Sequence, residues 1–232
     1  MRLRMASTAS VFLLMFSMTT ALSTALCTSQ QISKPEEVEW TWEVRPSHVD
    51  LALPNVLLLG DSITRNYYPD VAKRLDKIAN VYLMASSTSV GDPRLSLEIK
   101  EFATLEHVSF RVIHFNNGMH GWEYSESEYK TAFPSFLDAV RQIAPSASLI
   151  WATTTPVKED ALPGPTNARV VARNDIAALF VHQAGILVDD QHDLMLHHSE
   201  QYEDKVHFNP TGAAIQGEQV AYLISRTLGS KK

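Results

Sequence analysis

In "VLLLGDSITRN" a run of apolar residues from Val56 ends abruptly on Gly60-Asp61-Ser62. A short hydroxyl at such a strand-to-helix junction either caps the helix or attacks a substrate. A serine hydroxyl is a weak nucleophile and needs an adjacent base to take its proton. Far down the chain, "EDKVHFNPTG" sets Asp204 and His207 three residues apart, just ahead of a helical stretch. At that spacing the carboxylate can accept from the imidazole Nδ1–H and fix its tautomer, which leaves Nε2 to face a nucleophile. An Asp-x-x-His pair is common in surface loops, so neither cluster assigns chemistry by itself.

Other polar groups read differently. "QHDLMLHHSE" gathers His192, Asp193, His197 and His198, but no third or fourth ligand stands at a recognisable metal spacing. The stretch reads as a polar loop and short helix, and no metal is expected. His114, inside an apolar run, reads as a core histidine. "GDSIT" lacks the Gly-rich loop and lysine of a nucleotide site, so no cofactor is expected either.

The elements that must position these groups alternate. Short apolar strands begin at Asn55, Asn80, Phe110, Ala147 and Ile186, and stretches of helical spacing follow most of them, the last running from Thr211 to Gly229. Pro93 opens the second helix, Pro134 lies within the third, and Gly185 suits the end of the fourth. Continuous apolar strands joined by helices predict a parallel sheet covered on both faces. The expected fold is a doubly wound, flavodoxin-like α/β domain with a five-stranded parallel sheet. Its ligand site belongs at the carboxyl ends of the strands. Gly60-Asp61-Ser62, Gly91-Asp92, Asn116-Asn117-Gly118 and the 204–207 segment all fall there, so four chain-distant clusters should converge on one rim.

The chain of 232 residues, 45% hydrophobic and 20% charged, suffices for one substantial core. Residues 1–27 carry Arg2 and Arg4 followed by an uncharged apolar and small-residue run, the pattern of a secretory signal. Serine and threonine dilute that run too far for a membrane span. Cys27, the single cysteine, is an alternative lipoprotein acceptor, but Leu26 before it is large for that signal. Export to the periplasm or the exterior is expected, with no stable membrane insertion after cleavage. Residues 28–54 form a polar, tryptophan-bearing lead-in, and 55–232 the folded domain. A formal charge of -6 without a basic stripe excludes nucleic acid as a partner.

"GDSIT", "VGDP", "NNG" and "DKVH", in that order, resemble the four sequence blocks of the SGNH (GDSL) hydrolase family, from about Val56 to the end. The resemblance implies Ser62 as nucleophile, with Asp204 and His207 completing a triad. It implies Gly91 and the Ser62 backbone as oxyanion N–H donors. The third block departs from the family's Gly-x-Asn-Asp, whose asparagine also donates to the oxyanion. Asn117 is the apt donor here, with Asn116 one place earlier as an alternative; aligning "GMHG" on the motif would put His120 there instead. The second block lacks its leading asparagine. Trp122 and Tyr124 are candidates for a sugar-stacking rim or a hydrophobic lid contact. The implied activity is hydrolysis of small acyl esters, acetyl first, on a small-molecule or acetylated-glycan substrate. A lipase, thioesterase or lysophospholipase of the same family is the first alternative. A non-catalytic carbohydrate-binding protein on this scaffold is the second.

Overall fold

The computed structural model describes residues 32–230. The expected signal segment, with Cys27, lies outside the described residues. Six strands form one sheet: β1 (Thr41–Val44), β2 (Asn55–Gly60), β3 (Asn80–Ser86), β4 (Phe110–Phe115), β5 (Ser148–Ala152) and β6 (Leu187–Asp189). They lie in the order β1-β3-β2-β4-β5-β6. β2 to β6 are parallel, in the doubly wound order that the apolar runs predicted. The sixth strand corrects the expectation of five. β1 belongs to the lead-in and adds antiparallel to the edge of β3, Thr41 opposite Ser86. Its residues are largely exposed, so no apolar run marks it in the sequence.

Strand alternation sends side chains to two cores. Leu57, Leu59, Met84, Ile113, Phe115 and Trp151 pack under α2 (Arg94–Glu106), α3 (Glu126–Ile143) and α4 (Asn167–Gln183). Val56, Leu58, Leu83, Val112 and Ile150 pack on the other face under α1 (Ser62–Arg74) and α6 (Pro210–Gly229). Period-two alternation with both faces apolar is why each strand reads as a continuous hydrophobic run. A six-residue helix, α5 (Gln191–Leu196), precedes α6. Pro134 lies within α3, and Gly185, at φ +64°, follows the end of α4. Among the described residues, no helix is long and apolar enough to cross a membrane.

Register brings the strand ends level. Gly60 pairs with Ala85, Leu59 with Phe115, Phe115 with Trp151, and Ala152 with Asp189. The residues after each strand therefore emerge along one edge. Ser62 follows β2 between β3 and β4, where the strand order reverses and an open α/β sheet parts to admit a ligand.

Candidate active site

Ser62 is the first residue of α1, and the cap is its neighbour: Asp61 Oδ1 accepts from the Ile63 N–H at 2.9 Å. The hydroxyl of Ser62 is thereby released from the capping role. Its backbone N–H stays in the first helical turn, where amides have no intrahelical acceptor and the dipole is positive. Ser62 is 9% exposed. Its Oγ lies 2.7 Å from His207 Nε2, across 145 residues of chain.

His207 Nδ1 lies in turn 2.8 Å from Asp204 Oδ2. The other carboxylate oxygen, Asp204 Oδ1, accepts from the backbone N–H groups of Val206 at 2.8 Å and His207 at 2.7 Å. Burial pushes the Asp204 carboxyl up, but those two amides and the imidazole outweigh it and hold the group below its ordinary value of 3.8. The loop is pinned beneath by Tyr202 and Phe208, whose rings stack at 4.5 Å. Asn209 then caps α6, accepting from the Thr211 and Gly212 amides. The Asp-x-x-His spacing thus works through a tight turn that points the ring and not the backbone at α1. A line of hydrogen bonds from Ser62 through His207 to Asp204 can carry a proton off the hydroxyl and stabilise the resulting imidazolium.

Gly91 lies in the turn between β3 and α2. A methyl there would collide with the Tyr124 ring, so only glycine lets the two loops approach. Tyr124 itself is 1% exposed. Its hydroxyl accepts from the Lys34 N–H at 2.6 Å and donates to Asp92 at 3.2 Å. Of the two readings for Tyr124, its burial leaves no ring face open for stacking on a sugar: the ring is a buried spacer between the β3 and β4 loops. Trp122 carries the Arg173 guanidinium over its ring, 4.1 Å from the centre, with Arg169 at 5.0 Å. It packs against the core on the α1 and α6 side.

The loop after β4 holds the remaining candidates. Asn117 Oδ1 accepts from the Val90 N–H at 3.0 Å and its Nδ2 donates to the Thr88 carbonyl at 2.9 Å. Its side chain thus ties the β4 loop to the β3 loop. Asn116 Nδ2 donates to the Ala152 carbonyl at 2.7 Å and to Thr154 Oγ1 at 3.2 Å, which ties the same loop to β5. His120 Nδ1 faces the Glu36 carboxylate at 3.0 Å.

Two sets of residues were missed in the sequence. Arg173 is 1% exposed and donates to the carbonyls of Gly118, His120 and Gly121. A signal for it existed: it shares the buried stripe of α4 with Val170, Ala177 and Val181, where an arginine must be bonded to be tolerated. The lead-in is the other. Ser33 donates to Asp92, Glu36 accepts from Gly121, and Glu39 accepts from Ser87 and Arg94. These polar contacts carry no periodicity, so the segment reads as a loop.

His114 is buried with Nε2 2.7 Å from Asp189 Oδ2, inside β4. His197 lies 3.8 Å from Asp193, and His198 3.6 Å from Glu200. Among the described residues no three His, Cys, Asp or Glu side chains gather as a metal site.

No protein-family model and no curated protein matches the sequence. Solved structures do match in shape. A lipolytic G-D-S-L family protein from Veillonella parvula aligns at TM-score 0.61 and 18% identity, covering 75% of this chain and 99% of that one. A carbohydrate esterase family 3 protein from Talaromyces cellulolyticus aligns at 0.56 and 16%, covering 77% and 100%. A carbohydrate acetylesterase from Sinorhizobium meliloti aligns at 0.59 and 11%, covering 75% and 99%. The chain has the fold of the SGNH (GDSL) hydrolases.

Proposed function

We propose that the protein is an exported serine esterase that removes small acyl groups, acetyl first, from carbohydrate esters. The observation that carries this is the Ser62–His207–Asp204 line at 2.7 and 2.8 Å. It joins residues from the two ends of the fold at the switch point of the sheet. The carbohydrate esterases among the structures of like fold support the substrate class.

In this mechanism His207 Nε2 takes the Ser62 proton as Oγ forms a bond to the acyl carbon. The carbonyl oxygen becomes an oxyanion, met by the Ser62 and Gly91 N–H groups and a third donor from the β4 loop. On collapse the ester C–O bond breaks, and the His207 imidazolium protonates the leaving sugar hydroxyl. Water then attacks the acyl-serine with His207 again as base, releasing the carboxylic acid and restoring Ser62. Asp204 holds the Nδ1–H tautomer throughout.

Release of acetate from a panel of acetylated glycans by the mature protein, beside acetyl and octanoyl model esters, tests this. Acetyl turnover should exceed octanoyl, and Ser62→Ala should lower it on the order of 10⁴-fold or more. Octanoyl preference would move the substrate to lipids. Acetate release surviving in Ser62→Ala would move the nucleophile.

A further inference from the structure

The β4 loop offers three side chains for the third oxyanion donor, and two are buried and tied to neighbouring segments. Asn116 spends both Nδ2 protons, on the Ala152 carbonyl and Thr154 Oγ1, while Asn117 is held at both ends of its amide, Oδ1 by the Val90 N–H and Nδ2 on the Thr88 carbonyl. They fix the shape of the rim. His120 differs. Its ring Nδ1 faces both oxygens of the Glu36 carboxylate, at 3.2 and 3.0 Å. Among the described residues its Nε2 has no hydrogen-bond partner, and it is not among the buried polar atoms sealed away without one.

Trp40 links His120 to the first turns of α1, the helix that Ser62 opens. Its ring meets the edge of Trp40 at 5.9 Å, and Arg65, three residues beyond Ser62 on α1, lies 5.3 Å from the centre of that same indole. Arg173 holds the His120 carbonyl at 2.7 Å, and Glu36 also accepts from the Gly121 N–H at 2.8 Å. The ring is thereby fixed from its backbone, its Nδ1 edge and one side.

We propose that His120 is the third oxyanion donor, acting as an imidazolium through Nε2–H, with the Glu36 carboxylate of the lead-in as its positioning residue. This rests on the serine-esterase reading and names a part of that site. A carboxylate on Nδ1 keeps a proton there, so Nε2 can donate only when the ring is charged. A charged donor is also stronger than the amide it replaces. The acidic groups facing the ring are Glu36 and Glu39 of the lead-in and Asp61 before α1; Arg173 of α4 is the opposing cation. Burial works against the charge, but the Glu36 hydrogen bond and the charges of Asp61, Glu36 and Glu39 outweigh it, raising His120 above 6.5. Two histidines in one site would then work in opposite states: His207 neutral as base, His120 charged as donor. Deprotonation of His120 would set the alkaline limit of activity.

The test compares wild type, Ser62→Ala, His120→Ala, His120→Asn and Glu36→Gln. It follows acetyl-ester turnover against pH and the rate at which a fluorophosphonate labels Ser62. His120→Ala should lower kcat by roughly 10²- to 10³-fold with KM little changed, and slow phosphonylation comparably. His120→Asn should recover much of that loss and abolish the alkaline limb, because an amide does not titrate. Glu36→Gln should shift the limb to lower pH. His120→Ala, melting cooperatively and within tenfold of wild type in both assays, overturns the proposal. So does an alkaline limb that stays put in both His120→Asn and Glu36→Gln, the pair that decides if His120→Ala does not fold. Equal labelling of wild type and Ser62→Ala is a different failure: it overturns the serine-esterase reading, and this proposal with it.

Discussion

Arg173, on α4, donates through Nη2 to the Gly121 carbonyl at 2.8 Å, while its Nη1 serves the Gly118 and His120 carbonyls. One buried side chain thus holds the turn that carries His120. Burial pulls its pKa down to about 10, so it remains a cation at neutral pH. Arg173→Met keeps the length and leaves the Gly118 and His120 carbonyls without their donor, while Gly121 keeps only the Tyr124 N–H. It should destabilise the fold by about 3 kcal/mol, since each buried unmade hydrogen bond costs roughly 1–3 kcal/mol and relaxation recovers part. Arg173→Lys should recover little, because one ammonium cannot span a fork of carbonyls. Urea unfolding of the three proteins checks this; a loss under 1 kcal/mol for Arg173→Met would refute it.

Asp204→Asn should lower kcat on the order of 10³- to 10⁴-fold while leaving KM similar, as an amide favours the wrong imidazole tautomer. Asp204 sits below its ordinary 3.8 in the folded protein. Its depressed value makes its contribution to stability present above 3.8 and lost as pH falls through the folded value. Acid unfolding should therefore begin at higher pH in Asp204→Asn than in wild type if the Val206 and His207 amides depend on the charge. Coincident acid transitions would show that the carboxylate serves the histidine alone.

Gly91→Ala tests the close approach of the β3 and β4 loops. The added methyl meets the Tyr124 ring, which cannot retreat because its hydroxyl is tied to Lys34 and Asp92. The β3 loop must move instead, and with it the Gly91 N–H. Turnover should fall at least tenfold, since misplacement by about 1 Å can cost as much as 10²-fold. Gly91→Ala/Tyr124→Ala should regain part of it by opening room. Equal kcat in wild type and Gly91→Ala would remove this turn from the site.

What the sequence made legible follows from where chemistry and periodicity coincide. The strands β2 and β3 are readable to the residue because both faces are apolar and each ends at a polar break. Ser62, Asp204 and His207 stand out only through the order of the four blocks that resemble the SGNH family, since neither cluster assigns chemistry by itself. Asn117 and His120 are not separable in sequence, because either residue type can donate. The structure gives them different surroundings, Asn117 tied to Val90 and Thr88 and His120 facing Glu36. β1 and Glu36 escape because an exposed edge strand and a single acidic residue leave no pattern. Their roles exist only once the sheet has folded and brought residues 84 positions apart together.

The Glu36–His120 pair also makes a prediction about stability. Burial acts to raise Glu36, but the His120 hydrogen bond and charge, the Gly121 N–H and the Arg173 charge outweigh it, so its carboxyl lies below the ordinary 4.5. A depressed acid contributes stability above its unfolded value and loses it as pH falls. His120 is raised above 6.5, so its contribution is complete below that value and fades as pH rises through the folded one. Both conditions hold together between pH 4.5 and 6.5. Glu36→Gln should therefore lower the melting temperature most inside that window, with the difference from wild type narrowing on either side. The acid side narrows because Glu36 itself becomes neutral in wild type. The alkaline side narrows because His120 gives up its proton and the ion pair becomes a plain hydrogen bond. Melting curves of wild type and Glu36→Gln across pH 3 to 10 read this directly. A constant difference at every pH would mean that Glu36 holds Gly121 and its turn by geometry alone, with no charge on His120.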